Sequence, residues 1–369
     1  MKENKEKIKP LKRTGLHSYF GGKNCMNSFI VPYVPKDTKI FVEPFSGSFA
    51  IYFYSTLSEN AISVYNDQNK DQVNLFACSK NYNKFLDVIN KHFNDDGGLL
   101  NPGDVDPKIF YKELYYKIKK SDFPTTDFDV PDYDRASMYA FMLHSAFSSI
   151  NYQSAGYSGF NKERLKLLTF VNKLNNEYVR MKLDKITYIE NMDFEELIKK
   201  YDSSDTFFYL DPPYNSEEKI DDEWVKDDER RVGWYSSKNT FTKDSHERLA
   251  KCLKTIKGKF ALSYYDFENL SIWFPKDKYI WKSQSFFRSS ASFSDNKDKK
   301  GTELLIMNYK LSDEEIEENK KLLGDQKVVK KKPIVTTLEE FKKMDDIVVE
   351  KENIIEKVTP KKETDDFWD

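Results

Sequence analysis

The chain has 369 residues, enough for two lobes, and its 39% hydrophobic content supports a packed core beside 33% charged residues. A net charge of −2 gives no global attraction to nucleic acid, so any DNA contact has to come from local basic patches. No apolar run approaches the ~18 residues of a membrane span, and Cys25, Cys78 and Cys252 form no CxxC pair, which points to a reduced cytoplasmic protein with no zinc site and no membrane partner.

Residues 1–13 are lysine-rich, lack the apolar centre of a signal peptide and read as a solvated arm. In the following HSYFGGKNC, Gly21 and Gly22 permit close backbone approach, Tyr19 and Phe20 offer aromatic walls, and Lys23 is a cation able to meet a carboxylate. On its own the GGK step is equally a turn before a helix starting near Asn24. Residues 39–45 predict a strand ending at Glu43 and Pro44, followed by the small-residue turn Ser46, Gly47, Ser48 and then a helix. A second strand over 61–65 ends in Asn66 and Asp67, where an acidic residue in such folds holds ribose hydroxyls.

From Gln72 to about Lys185 the spacing of apolar residues predicts helices over 72–93, 108–120 and 132–147. Residues 148–160, SSINYQSAGYSGF, suggest a hairpin and precede the basic helix NKERLKLLTFVNKL. That pairing suits entry into a DNA groove, with Asn151, Tyr152 or Gln153 near base edges; a structural helical cap is the competing reading.

Residues 206–214, TFFYLDPPY, form the centre of the chain. The apolar run reads as a strand buried on both faces, and Pro212 and Pro213 cannot continue its ladder beyond Asp211. The aniline-like amine of a nucleobase is a poor nucleophile because its lone pair is delocalised. Accepting both of its N–H bonds at the Asp211 carboxylate and the Pro212 carbonyl localises that pair, and Tyr214 offers a face on which an extruded base stacks. An ordinary proline turn after a strand is the plain alternative. Residues 215–238 then form a long acidic loop, read as a lid or a solvated excursion. Thr242 is an expected helix cap, His246 a packing residue, and 259–263 and 302–309 further strands. The Ser- and Lys-rich 288–300, beginning at Arg288, suits phosphate contacts, and from 311 to the end a charged, disordered extension is expected.

SYFGGK at 18–23, FVEPFSGSFA at 41–50, NDQNKD at 66–71, DPPY at 211–214 and GTELLIMNY at 301–309 occur in the order of the motifs of the Dam family, the α-group DNA adenine methyltransferases. The chain resembles that family from about Leu16 to Lys310, with further similar pieces at YIENMDF (188–194) and ALSYYD (261–266). The resemblance implies S-adenosylmethionine as methyl donor, double-stranded DNA as partner, the N6 amine of adenine as acceptor, and no metal. It places Tyr19, Phe20 and Lys23 by the methionine portion of the donor, Glu43, Phe45 and Gly47 in the loop beneath it, Asp67 at its ribose and Asp193 at its adenine. Asp211, Pro212, Pro213 and Tyr214 then receive the target base. One departure stands out: the family loop has a second glycine where this chain has Phe49. That side chain is either absorbed by the following helix or crowds the donor.

The resulting expectation is an α/β protein with a Rossmann-like methyltransferase sheet over 15–75 and 186–310, an inserted helical DNA-recognition domain over 76–185, a basic arm over 1–14 and a tail over 311–369. A DNA-binding protein of this fold with lost catalysis, or an enzyme acting on cytosine N4 or an RNA amine, are the alternatives. A restriction endonuclease, if the protein works beside one, is a separate chain, and a prokaryotic or phage-infected cytoplasm is the expected setting.

Overall fold

A computed structural model describes residues 12–17, 22–94, 107–120, 130–145, 166–213, 218–220, 223–225, 241–267, 269–287 and 300–324. Its centre is a seven-stranded sheet of β1 (Ile40–Glu43), β2 (Ile62–Asn66), β3 (Tyr188–Glu190), β4 (Thr206–Leu210), β7 (Lys259–Tyr264), β8 (Ile280–Phe287) and β9 (Lys300–Met307). The strands β5 (Glu218–Ile220) and β6 (Glu223–Val225) form a separate antiparallel pair within the charged segment that follows DPPY.

The sheet order is β3-β2-β1-β4-β7-β9-β8. Strands β3, β2, β1, β4 and β7 are mutually parallel, whereas β9 runs antiparallel between β7 and β8. This is the Rossmann-like methyltransferase arrangement expected from the motif order. The chain builds β1, β2 and β3 to one side and then returns to place β4 on the other flank of β1. The order therefore reverses between β1 and β4, where ligands of open α/β sheets bind.

Alternation along the strands sends side chains to two apolar layers. Phe41, Tyr65, Phe207, Tyr209 and Met307 join one cluster with Tyr111, Tyr139 and Phe170 of the helices inserted between β2 and β3. Val42, Val64, Phe208, Leu210 and Ile306 join the other with Phe194, Leu197 and Leu253. All five residues of β4 are buried, as its unbroken apolar run predicts. The helical insertion thus shares its core with one face of the sheet.

Among the described residues four helices start on side-chain caps: Asn69 accepts from Asp71 N, Asn176 from Val179 N, Asp193 from Glu195 N, and Thr242 from Ser245 N. The first of these helices, Lys70–Lys80, is clamped to Tyr133–Ser145 by Arg135, whose Nε lies 2.5 Å from Asp71 Oδ1 and whose Nη2 donates to Oδ2.

The structure departs from the sequence expectations in four places. The helix expected over 72–93 is two, Lys70–Lys80 and Tyr82–Asn94, because Asn81 leaves the helical conformation (φ −98°, ψ 65°). Short helices at Glu177–Asp184 and Phe194–Tyr201 carry the chain into and out of β3. Strand β8 is an edge strand with polar, exposed central residues, which masks it in the sequence. Asp313–Gly324, where a disordered extension was expected, is a helix, anchored by Asn319, whose buried Nδ2 donates to Pro32 O and Val34 O. Among the described residues no helix is long and apolar enough to cross a membrane.

Candidate active site

The parallel strands deliver their carboxyl ends to one edge. Glu43 closes β1, Asn66 and Asp67 close β2, and Asp211 follows β4. Antiparallel β9 enters from the same edge, since Leu304 pairs with Tyr264 at the end of β7, and it brings Glu303 there.

At this edge Lys23 bridges two of the carboxylates. Its Nζ lies 2.8 Å from Asp211 Oδ1 and 3.5 Å from Glu303 Oε1. Lys23 and Glu303 are buried, and Asp211 keeps 17% of its side chain exposed. Burial works to lower the Lys23 pKa, but the charges of Asp211 and Glu303 outweigh it, so the ammonium is held above its ordinary value. Glu43 is also buried: burial, reinforced by Asp211, raises its pKa well above the ordinary carboxylate range. Its Oε1 accepts the backbone N–H of Tyr52 at 2.9 Å, which fixes the end of β1 to the following helix.

The turn after β1 is held open by hydrogen bonds to β2. Ser46 N donates to Asn66 O, Asn66 N donates to Ser46 Oγ, and Asn66 Nδ2 reaches Pro44 O and Met192 O. Gly47 has φ 47°, a left-handed conformation that glycine adopts without cost. Its N–H donates to Asp67 Oδ2 at 2.9 Å, while Asp67 Oδ1 accepts Asn69 N–H at 2.8 Å. Burial pushes the Asp67 carboxyl up to about 6, against the pull of those two N–H groups.

Asp193 stands beside this corner. It caps Phe194–Tyr201, takes Arg248 Nη2 at 2.7 Å and faces Gln68 Nε2 at 3.4 Å, while Asn191 Nδ2 donates to Asp67 O. Phe45 packs against Phe194 and Phe241 in the second apolar layer, each ring centroid 5.5 Å away.

Phe49 does not crowd this edge. It takes the left-handed conformation (φ 54°) that the missing glycine would have supplied, and its fully buried ring stacks on Tyr52 at 4.3 Å. Edge contacts to Tyr65 and Phe76 complete its enclosure in the first apolar layer. The backbone cost of about 1–2 kcal/mol is smaller than the gain of about 2–3 kcal/mol from burying such a ring.

The residues present suit a sulfonium nucleoside. Two carboxylates, Asp211 and Glu303, share one ammonium, an excess of acid that complements a cation, and Ser48 Oγ in the small-residue turn is buried with no hydrogen-bond partner among the described residues.

Of the residues singled out in the sequence, Lys23, Glu43 and Asp211 come together, and Gly47, Asp67 and Asp193 form the adjoining corner. Pro212 is buried and Pro213 half-buried after β4. Tyr19, Phe20, Tyr214, Asn151, Tyr152, Gln153 and Arg288 lie outside the described residues. Sequence reasoning missed Glu303: its only signal is one acidic residue at the head of an apolar strand.

Comparison with known proteins identifies the family. Residues 19–289 match the family described as D12 class N6 adenine-specific DNA methyltransferase. The chain is 28% identical over 246 residues to the Type II methyltransferase M.CviBI of Paramecium bursaria Chlorella virus NC1A, covering 65% of this chain and 78% of that protein. It is 24% identical over 330 residues to the Type II methyltransferase M1.LlaDCHI of Lactococcus lactis subsp. cremoris, covering 84% and 98%. With the family match spanning most of its length, the chain belongs to the D12 class of N6 adenine-specific DNA methyltransferases.

Proposed function

We propose that Asp211 and the Pro212 carbonyl accept the two N–H bonds of a target adenine N6 amine, and that Lys23 holds Asp211 in position for it. The observation that carries this reading is the 2.8 Å contact between Lys23 Nζ and Asp211 Oδ1 at the carboxyl edge of β4. An ionised carboxylate offers acceptors only, so it cannot compete for the amine's lone pair. S-adenosylmethionine, the donor the family uses, supplies a methyl group on a positively charged sulfur.

The chain's own residues do the remaining work. Gly47, with no side chain, lets a ligand approach the turn after β1, and Asp67 stands where ribose hydroxyls are held in such folds. Asp193 is the residue for the donor's adenine, and Tyr19 and Phe20 wall its methionine portion. Tyr214 stacks the adenine once it is extruded from double-stranded DNA, and Asn151, Tyr152, Gln153 and Arg288 serve the surrounding duplex. No metal has a part in this reading: the acid and the carbonyl activate the amine. The Type II names of the two relatives support work alongside a separate restriction endonuclease in a prokaryotic or virus-infected cell.

Incubating the protein with S-adenosylmethionine and unmethylated plasmid, then digesting to nucleosides for mass spectrometry, tests the acceptor. N6-methyladenine is the expected product. N4-methylcytosine, or methylation of RNA in preference to DNA, overturns the assignment.

A further inference from the structure

At the amino end of β2, away from Asp67 and Asp211, the loop between the Ala50–Tyr54 helix and β2 faces the Glu177–Asp184 helix across a cavity of about 200 Å³. Arg13, Lys182 and Lys185 line it together with one carboxylate, the exposed Glu59. Arg13 is fixed in place: Nη1 donates to Tyr54 O at 2.5 Å and Nη2 to Thr56 Oγ1 at 2.7 Å. Lys182, buried to 6% exposure, donates from Nζ to Ser55 O at 3.1 Å and stands 4.1 Å over the Tyr52 ring.

The fold thus orders a buried ammonium between a backbone carbonyl and an aromatic face, and sets two further cations at the mouth. Burial, then Arg13 and Lys185, push the Lys182 pKa down to about 7, and Glu43 pulls the other way by less. Gathering like charges in a partly desolvated space is costly unless an anion joins them. Inorganic phosphate occupies well under half of the cavity, which leaves room for its first waters.

We propose that this cavity is an oxyanion site, in which Lys182, Arg13 and Lys185 bind a phosphate group. The phosphate belongs either to a free small molecule or to a backbone position of DNA passing behind the catalytic sheet, and the chemistry of recognition is the same for both.

Calorimetric titration of the full-length protein with inorganic phosphate, at constant ionic strength in chloride buffer, tests it. One saturable site is expected, weakened at least tenfold in Arg13→Gln and in Lys185→Gln. These two variants spare the buried position, and Lys182→Met, if it folds, should abolish binding. Lys39→Gln, at an exposed lysine paired with Asp205, serves as the control and should bind as the unaltered protein does. Repeating the titration with saturating duplex DNA identifies the source. Competition, with a salt dependence of DNA binding reduced by about one unit in Lys185→Gln, assigns the site to DNA phosphate; undiminished phosphate binding assigns it to a free anion. Absence of saturable binding, or equal binding in the Arg13 and Lys185 variants, overturns the proposal.

Discussion

Lys23 Nζ lies 2.8 Å from Asp211 Oδ1, which ties the segment before the first helix to the end of the central strand β4. Glu303 of β9 shares the same ammonium at 3.5 Å. Three separate parts of the sequence therefore meet on one buried charge, and the position of Asp211 depends on all of them.

Replacing Lys23 by Met should be costly in two ways. Removing one partner of a buried ion pair typically costs about 3–5 kcal/mol, and here it leaves Asp211 and Glu303 without the cation between them. Asp211 then loses the contact that fixes its carboxylate, so kcat/KM should fall at least about tenfold. Steady-state kinetics beside a urea melt checks both; an unchanged kcat/KM would mean that Lys23 does not position Asp211.

Phe49→Gly restores the family's glycine and should still destabilise the protein. Relief of the left-handed backbone returns about 1–2 kcal/mol, whereas deleting a fully buried aromatic ring costs about 3–5 kcal/mol. A net loss of about 1–4 kcal/mol in urea unfolding is expected, with S-adenosylmethionine affinity unchanged because the ring packs on Tyr52 and Tyr65 within the core. Tighter donor binding in the variant would show that Phe49 does obstruct the site.

His246 provides a pH test of the second apolar layer. It is 3% exposed, packs against Phe241 and Tyr264, and burial pushes its pKa down to about 4. Its folded pKa lies below the unfolded value, so its contribution is intact above pH ~6.5 and is lost as pH falls towards 4, up to about 3 kcal/mol in all. His246→Phe should flatten the stability curve between pH 7 and 5 by about 2 kcal/mol. Equal slopes in the two proteins would place the imidazole in contact with water.

What could be read from the sequence was local. The run TFFYL declared a strand buried on both faces, and the turn Ser46–Gly47–Ser48 and the acidic residue after β2 were legible as neighbours at one sheet edge. Contacts between distant segments were not legible. Glu303 sits at the head of the apolar run 304–307, where a single polar residue reads as the strand's entry, and nothing near it in sequence names Lys23 as its partner. Phe49 was ambiguous because a residue's identity does not report its φ; only the fold shows the ring turned into the core. Asp313–Gly324 looked like a solvated charged run because its anchor is one amide, Asn319, reaching backbone carbonyls on a segment nearly three hundred residues earlier.

Asp211→Asn tests the account most directly, by single-turnover methyl transfer to DNA measured beside donor binding. Asparagine keeps the size of the side chain but loses the charge held by Lys23 and places donors where acceptors are needed. The account predicts a transfer rate at least about a hundredfold lower, with S-adenosylmethionine still bound. A variant that transfers methyl groups at the full rate would contradict it.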